Sequence, residues 1–297
     1  MSRWELGPNR VTCRNDRLVT YWYRAGMPPE STVIDGWPSV LPPLVAVSVL
    51  NGGWVGTTLL GTLAGGRKVV VKRSGWPAEI EADGLAALAG AGVPTPEILA
   101  VSGEVLVLEH VHGSPDWGGL GLAIARMHRV TGQRYGWHLD NRAGRFVQPN
   151  SWSADWPSFF TQNRVRTHLQ DPELPVDFRR RLEYACDGPI QQMLSGASVP
   201  SLTHGDFWVG NTVDGCWVID PEVSFADREL DLAYMMMPSR RPLPPEFWEA
   251  YLAEWPLTDG FDQRRLVLGL HHRLLQVRHF GASRLAELDR DLHALGW

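Results

Sequence analysis

The sequence predicts an α+β protein of two lobes: a small antiparallel β lobe that carries one helix, and a larger, mostly helical lobe. Residues 44–112 hold short apolar, β-branched runs separated by Gly turns, which is typical of strands. One helical pattern interrupts these runs after the third, and helical periodicity dominates residues 113–297. Residues 1–43 are Pro-rich towards their end and show no clear period, so we expect an irregular extension there.

The β lobe is predicted to contain five strands and one inserted helix. Two Gly-Gly turns separate the first three apolar runs. The helical pattern places Ile80, Leu85 and Leu88 on one stripe, and the sequence GAGVPTP ends it. In chain order we expect strands at 44–50, 55–63 and 68–72, a helix at 78–90, and strands at 97–103 and 104–111.

The helical lobe is predicted to begin after His112. Its first helix should cover 118–130, where Leu120, Ile124 and Met127 lie on one face. Further helical patterns occur at 155–169, at 177–194 and in most of the chain's last part. The two lobes therefore differ in the period of their apolar residues.

Composition limits the classes of partner. Hydrophobic residues make up 44% and charged residues 21%, as in ordinary globular proteins, and a net charge of −5 without a Lys/Arg block gives no reason to expect nucleic acid. The longest apolar run is too short to span a bilayer, so we expect no membrane partner. The three cysteines, Cys13, Cys186 and Cys216, are widely spaced, which fits free thiols. We expect a cytoplasmic protein, monomeric or dimeric.

Residues 204–211, with the sequence HGDFWVGN, hold the densest group of polar side chains with chemical potential. The following segment contains Asp214-Gly215 between apolar flanks, a strong hairpin signal. Such a hairpin returns Asp220 to the neighbourhood of Asn211. Asp206, Asn211 and Asp220 should therefore converge and offer three oxygen-bearing side chains to one site.

Phosphoryl transfer from ATP requires such a set. One carboxylate accepts the proton of the attacking hydroxyl, while an amide and a second carboxylate hold Mg²⁺ against the phosphates. The catalytic loop of protein kinases has the same spacing of five residues between its Asp and its Asn. The pattern predicts Asp206 as the base and Asn211 and Asp220 as metal ligands in a protein-kinase-like fold.

The β lobe supplies the parts that would bind ATP. Lys72 on the third strand would contact the phosphates and pair with a glutamate of the following helix, where we favour Glu81 over Glu79. Backbone N–H groups of a Gly-rich turn would cover the phosphates, and a hinge after the fifth strand would meet adenine. The residues predicted for turn and hinge are Gly52, Gly53, Glu109, His110 and Val111.

The motifs HGDFWVGN and VIDPEVSFADRELDLAYM resemble the fructosamine-3-kinase (ketosamine-3-kinase) family, a branch of the aminoglycoside phosphotransferase-like kinases. The segment 135–166, with DNxxG, QxN and WxxFF features, resembles the same family more narrowly, as do helical segments at 246–257 and 271–281. The resemblance covers about residues 44–285. It implies ATP-dependent phosphorylation of the 3-hydroxyl of a ketosamine, a sugar–amine adduct formed by glycation.

The resemblance also implies roles for individual residues. The 3-phosphate of a ketosamine is unstable and releases the amine, so the reaction would repair glycated amines. The family motif makes Asp206 the base and Asn211 and Asp220 the metal ligands. Trp208, Asp140, Asn141 and Asn150 would lie near the sugar, whereas His204, Gly205 and Gly210 would hold the loop.

Three residues depart from the family pattern, and three other functions stay open. Phe207 stands where Leu is usual, Val209 where Ser is usual, and Glu222 where a small residue is common.

The nearest alternative is another acceptor on the same fold, such as an aminoglycoside or choline. A non-catalytic pseudokinase and a metal hydrolase built on His204 and Asp206 are alternatives of other classes.

Overall fold

The computed structural model describes residues 33–50, 56–196, 198–238 and 241–297. Residues 1–32, most of the predicted irregular extension, lie outside this described part, and so do Gly52 and Gly53 of the predicted phosphate-covering turn. Within the described residues, no helix combines the length and the apolar character needed to cross a membrane.

A five-stranded antiparallel sheet with one inserted helix forms the first part of the chain, as predicted. The strand order is β1-β2-β3-β5-β4, and every neighbouring pair is antiparallel. The elements are β1 (Leu44–Val49), β2 (Thr57–Leu63), β3 (Lys68–Arg73), α1 (Glu79–Gly90), β4 (Ile98–Ser102) and β5 (Val105–Glu109).

Alternation along the strands decides which side chains reach α1. Val105 and Val107 of β5 pack with the buried residues of one sheet face, whereas Leu106 and Leu108 pack with Leu85 of α1 on the other. β5 is apolar on both faces because it is covered on both. α1 therefore packs on the sheet face opposite to the one where Leu44 of β1 is buried, and Glu81 in its N-terminal half contacts Lys72 of β3.

The remainder is mostly helical, with three small hairpins or strand pairs. A boundary between lobes at residues 112 and 113 stays a prediction. The helices are α2 (Trp117–His128), α3 (Trp156–Phe160), α4 (Val176–Cys186), α5 (Pro189–Leu194), α6 (Glu229–Met235), α7 (Pro245–Glu254), α8 (Phe261–Phe280) and α9 (Leu285–Ala294). The strand pairs are β6 (Asn141–Ala143) with β7 (Phe146–Gln148), β8 (Ser201–Thr203) with β11 (Ser224–Ala226), and β9 (Thr212–Val213) with β10 (Trp217–Val218).

Two predicted helical segments are divided in the structure. The segment 155–169 forms α3, then a π-helical turn at Thr161–Val165 and a 3₁₀ turn at Arg166–His168. The wide turn directs Asn163 and Arg164 inward, where they bond to backbone carbonyls of the 149–151 segment. The segment 177–194 breaks at Gly188, and Pro189 begins α5.

α8 lies at the centre of the helical region. It runs for 20 residues, and apolar side chains on several of its sides, among them Leu268, Leu274 and Val277, join the largest apolar core of the described chain. α6 and α9 pack against it. α8 also carries polar side chains inward, and these meet the loop described next.

Candidate active site

A short strand pair, β8 with β11, closes the segment 204–223, which begins with the 204–211 loop. Thr203 at the end of β8 pairs with Ser224 of β11, and the N–H of Glu222 donates to the carbonyl of His204 at 2.7 Å. Gly205 has φ +86°, and a Cβ there would collide with the carbonyl oxygen of Glu222. Only glycine accommodates both conditions. The segment after Asp220 is thus laid directly along the start of the loop.

His204 supports the loop through a neutral ring. The N–H of Asp206 donates to Nδ1 of His204 at 3.1 Å, and Nε2 of His204 donates to the carbonyl of Ile219 at 3.1 Å. An accepting Nδ1 and a donating Nε2 require the uncharged ring. Burial lowers the pKa of His204, which favours that form. His204 therefore links Asp206 with the strand that leads to Asp220.

A buried group behind the loop, Asp231 with His128 and Tyr251, holds the backbone in place; we call it the support network. Asp231 accepts the N–H groups of His204 and Gly205 at 2.7 and 2.9 Å. His128 bridges Asp231 at 3.1 Å and the Tyr251 hydroxyl at 2.7 Å. Burial acts to raise the pKa of Asp231, but the bonds from His128 and the backbone outweigh it and lower that pKa. Sequence reasoning noted Asp231 only as part of a motif.

Asp206 and Asn211 are in direct contact across the loop. The amide nitrogen of Asn211 donates to the Asp206 carbonyl at 2.8 Å and to its carboxylate Oδ2 at 2.7 Å. The planar amide consequently turns its Oδ1 away from Asp206. Asp206 stays partly exposed while Asn211 is buried. The five-residue spacing thus brings the predicted base and the predicted metal ligand together.

The predicted Asp-Gly hairpin is confirmed. Val213 pairs with Trp217 in β9 and β10, and Asp214 and Gly215 have φ of +52° and +67°. The N–H of Ile219 donates to the Asn211 carbonyl at 3.0 Å. Asp220 therefore emerges beside Asn211, and its own φ of +56° is rare for a residue with a side chain.

Lys72 contacts two carboxylates that come from different parts of the fold. Its Nζ bonds to Glu81 of α1 and to Asp220 beyond the hairpin. Burial opposes the Lys72 cation, but the two carboxylates outweigh it and raise the pKa of Lys72. Burial also acts on Asp220, where Lys72 prevails and lowers the pKa of the carboxyl. We call these three residues the Lys72 cluster; it joins the sheet to the helical region.

The donor set fits the predicted cofactors, ATP and Mg²⁺. Asp220 is the most exposed member of the Lys72 cluster, with 41% of its side chain accessible, and Lys72 favours its ionised form. The Asn211 Oδ1, which does not bond to Asp206, offers a second hard oxygen on a residue whose carbonyl pairs with Ile219, the neighbour of Asp220. These are ligands that magnesium prefers, and Lys72 adds a cation for phosphate.

The predicted hinge, residues 109–111, begins at the last residue of β5. The N–H of Glu109 donates to the Glu97 carbonyl at 2.9 Å, and His110 and Val111 continue the chain toward α2. The Asp214 carboxylate accepts the N–H of Gly113 at 3.1 Å. The β9–β10 hairpin, which precedes Asp220, is thus hydrogen-bonded to the segment after the hinge. The adenine-binding role of 109–111 stays a prediction.

The four residues predicted to line the sugar site differ in availability. Trp208 is partly exposed, and its ring lies over Gly210, where any side chain would collide with it. Asp140 accepts the N–H of Asn150 at 2.8 Å. Asn141 and Asn150 are almost wholly buried, at 4% and 1% exposure, and their amides bond to the protein. The structure assigns these two asparagines to holding the 139–150 segment, and direct sugar contact stays a prediction.

Asn141 ends a buried chain of hydrogen bonds with a single direction. The guanidinium at one end can only donate and the carbonyl at the other can only accept, so each ring or amide between them accepts from one side and donates to the other. The Arg164 carbonyl, 3.1 Å from Nδ1 of His271, then receives no hydrogen from that ring, because this nitrogen accepts from His168. Burial first, and nearby cations next, lower the pKa of His168 to about 3 and that of His271 well below its usual value. The chain runs from Arg278 through His168, His271, Gln148 and Asn141 to the carbonyl of Val223, over distances of 2.8–3.2 Å.

Two ionisable groups near Asp206 had no role in the sequence-based prediction. Arg164 is buried, donates to Asn150 Oδ1 at 2.7 Å and to Ser224 Oγ at 3.2 Å, and has its pKa lowered to about 9 by burial. Burial and then Asp206 raise the pKa of Glu222 well above its usual value. A helical period cannot reveal either, because Arg164 reaches the site through the π-helical turn and Glu222 through the β8–β11 pairing.

Among the residues that the structure describes, no three His, Cys, Asp or Glu side chains gather into a group able to hold a metal ion. The described chain therefore offers no ligand set of the kind that a metal hydrolase on His204 and Asp206 would need. A magnesium site of one Asn and one Asp is a different donor set and is compatible with this finding.

Comparison with known proteins gives a consistent picture. A family model described as fructosamine kinase matches residues 71–295. A protein of Escherichia coli (strain K12) named "Probable ketoamine kinase" is 33% identical over 181 residues, which cover 59% of this chain and 62% of that protein, so the match spans less than two thirds of the relative's length. A crystal structure from Thermobifida fusca, provisionally named fructosamine-3-kinase, is 26% identical, with a TM-score of 0.76 over 86% of this chain and 94% of that one. An ADP-bound aminoglycoside phosphotransferase, 14% identical with a TM-score of 0.56 over 85% of this chain and 92% of that one, shares the fold alone.

Proposed function

Because the chain belongs to the fructosamine kinase family, we propose that it transfers the γ-phosphoryl group of ATP to the 3-hydroxyl of a ketosamine. The product would lose its phosphate and release the amine, so the reaction would serve deglycation. The two-lobed protein-kinase-like fold, which the chain shares with the structures compared above, supports a phosphotransferase.

One observation carries the proposal: Lys72 meets both Glu81 and Asp220. The lysine comes from β3, the glutamate from α1 and the aspartate from beyond the hairpin, so three distant segments build one charged group. Asp206 and Asn211 follow on the adjoining loop, already in hydrogen-bond contact. A pseudokinase would need to lack part of this set, and the five residues are all present.

The chain's own groups account for binding and proton transfer. Lys72 would bind phosphate oxygens, and Asn211 Oδ1 and the Asp220 carboxylate would hold the metal. Mg²⁺, when bound, neutralises charge that develops on the phosphates. Asp206 would accept the proton of the sugar hydroxyl. At the same time the hydroxyl oxygen would bond to the γ-phosphorus, and the bond from phosphorus to ADP would break. The Asn211 amide keeps the Asp206 carboxylate oriented for that transfer.

The acceptor is the finer part of the proposal. The 135–166 segment contains only Asp140 and Asp155 as acids, which suits a monoamine better than the polycations bound by aminoglycoside kinases. Trp208 offers an apolar face to a sugar. A cytoplasmic location, a monomeric or dimeric state and the absence of nucleic-acid or membrane partners stay predictions.

An ADP-release screen tests the function. Purified protein with MgATP is supplied with ribulosamine and fructosamine adducts, and in parallel with an aminoglycoside panel and choline. We expect ADP release with the ketosamines. Turnover of an aminoglycoside or choline alone would move the assignment to another acceptor on the same fold.

The Asp206→Asn variant tests whether Asp206 accepts the proton. A positioned base contributes roughly 10²–10⁴ in rate, so we expect kcat to fall by that factor while MgATP binding, measured by calorimetry, persists. Near-normal turnover of this variant would remove Asp206 from the role of base.

A further inference from the structure

Helix α1 carries two carboxylates that reach different partners. Glu81 bonds to Lys72, whereas Asp83, two residues later, lies on another side of the helix. Both oxygens of Asp83 are used: Oδ2 accepts from Trp137 Nε1 at 2.7 Å, and Oδ1 lies 3.1 Å from His138 Nε2. A carboxylate of the sheet region is therefore held by two consecutive residues of the helical region.

Trp137 is itself fixed to the segment that follows Asp220. Its backbone N–H donates to the Asn150 carbonyl at 3.0 Å, and its ring packs on Phe225 with centroids 5.3 Å apart. The preceding residue, Gly136, exchanges two backbone hydrogen bonds with Phe225, each 2.9 Å long. The donor to Asp83 is thus anchored between the predicted sugar-site segment and β11.

Two further contacts join the same parts of the molecule. A Cβ on Gly84 would lie 2.9 Å from Cγ of Pro221, the residue directly after Asp220, so α1 approaches that segment closely. The guanidinium of Arg142 in β6 lies 5.3 Å from the ring centroid of Trp76, just before α1. These contacts flank Asp83 on both sides along the chain, so Asp83 lies where α1 meets the helical region.

We propose that Asp83 is a positioning residue that clamps α1 to the Trp137–His138 pair, so that Glu81 keeps Lys72 in place and an occupied sugar site strengthens nucleotide binding. The physical link is short, because residues 137–150 carry both the donors to Asp83 and three of the four residues predicted to line the sugar site, Asp140, Asn141 and Asn150. Energetic coupling of this kind is reciprocal, so the nucleotide would strengthen acceptor binding by the same factor. The acceptor half rests on the proposed function, whereas the nucleotide half does not.

The experiment measures affinity for a non-transferring ATP analogue with Mg²⁺, by calorimetry on the full chain. Wild type, Asp83→Ala and Trp137→Phe are compared, each with and without a fructosamine of lysine. Glu104→Ala is the control, because Glu104 is a half-exposed carboxylate of the sheet region, at the β4–β5 turn. Trp137→Phe removes one N–H donor and keeps an aromatic ring on Phe225, so it serves if Asp83→Ala fails to fold.

Without the fructosamine, we expect Asp83→Ala to bind the analogue about tenfold more weakly, as for loss of a hydrogen bond to a charged group, and Trp137→Phe to change it in the same direction by less. With the fructosamine, wild type should gain at least about fivefold in affinity, and this gain should disappear in Asp83→Ala. Glu104→Ala should match wild type in both conditions.

Unchanged analogue affinity in Asp83→Ala overturns the positioning role, and a retained gain, or no gain in wild type that binds the fructosamine, overturns the coupling. If wild type binds no fructosamine, the proposed function fails instead, and analogue affinity alone decides on Asp83. Equal losses of analogue and fructosamine affinity, with the gain retained, would mean that Asp83 only supports the fold.

Discussion

Asp220 and Asp231 both serve the loop that carries Asp206, but they meet their partners in opposite ways. In the Lys72 cluster, Lys72 and Glu81 have 20% of their side chains exposed and Asp220 has 41%, and two carboxylates face one cation. In the support network, the side chains of Asp231 and His128 have no exposure, and Asp231 accepts two backbone N–H groups and His128.

The difference separates ligand binding from loop support. The Lys72 cluster formally has one negative charge more than it has positive charge and is partly exposed to solvent, so under the proposed function its members would exchange partners when phosphate and metal bind. The support network pairs its carboxylate completely and out of water, where an unpaired group would be costly. We therefore expect changes in the first to alter affinity and changes in the second to alter stability.

Asp231→Ala should give the largest effect on stability. It leaves the N–H groups of His204 and Gly205 and one side of His128 without their buried acceptor, and removal of one member of a buried pair costs about 3–5 kcal/mol. Urea unfolding should show this loss, together with loss of turnover because the loop is no longer held.

Asp262→Ala is the control for Asp231→Ala. Asp262 lies on α8 with 83% of its side chain exposed, so its removal should change the free energy of unfolding by less than about 0.5 kcal/mol. A loss below about 1 kcal/mol in Asp231→Ala would contradict the contrast between the two regions.

Lys72→Met should show the opposite pattern. We expect MgATP affinity to fall by about tenfold to a hundredfold, because charged hydrogen bonds to phosphate are lost, while the free energy of unfolding changes by less than about 1 kcal/mol. Calorimetry and urea unfolding on the same preparation measure the two effects. Lys68→Met, on an exposed position of the same strand, should change neither. Equal effects of both variants on affinity would exclude a specific role for Lys72.

Acid should weaken the region around His168 before it affects the Asp231 carboxylate. The pKa of His168 is lowered to about 3, whereas an unfolded histidine titrates near 6.5, so the unfolded chain binds the proton first and stability falls as pH drops below about 6.5. At pH 5 this one residue should cost about 2 kcal/mol. The lowered pKa of Asp231 places its own loss below about pH 3.9.

Urea unfolding between pH 7 and pH 5 measures this slope. His168→Gln removes the titrating ring and should flatten it by about that amount, whereas His293→Gln, with 76% of the histidine side chain exposed in wild type, should leave it unchanged. A slope that is the same in wild type and His168→Gln would show that His168 is not the source.

Local signals predicted the fold and the proximity of Asp206, Asn211 and Asp220, whose roles stay predictions. The apolar periods gave the antiparallel sheet with its inserted helix, and Asp214-Gly215 gave the hairpin because two successive left-handed residues favour this pair. The choice of Glu81 over Glu79 agrees with the contact to Lys72, although helical periodicity alone places both near the start of α1.

Long-range partners account for what the sequence did not reveal. Asn141 and Asn150 were predicted only to lie near the sugar, but their partners, Val223 and Arg164, are distant in the chain, and burial follows from those partners. Arg164 itself enters through a π-helical turn, which has no simple apolar period. The support role of Asp231 depends on backbone groups 26 and 27 positions away.

The one-way hydrogen-bond chain from Arg278 to Val223 restricts which residues evolution or a designer could place along it. Every interior member must offer one acceptor and one donor at once, so at positions 168, 271, 148 and 141 only side chains that do both, namely His, Gln, Asn and the hydroxyl residues, can preserve the chain. Lysine, which only donates, and leucine, which does neither, would each interrupt the sequence of bonds. In a library randomised at these four positions with Arg278 retained, the functional clones should therefore carry only residues of this set.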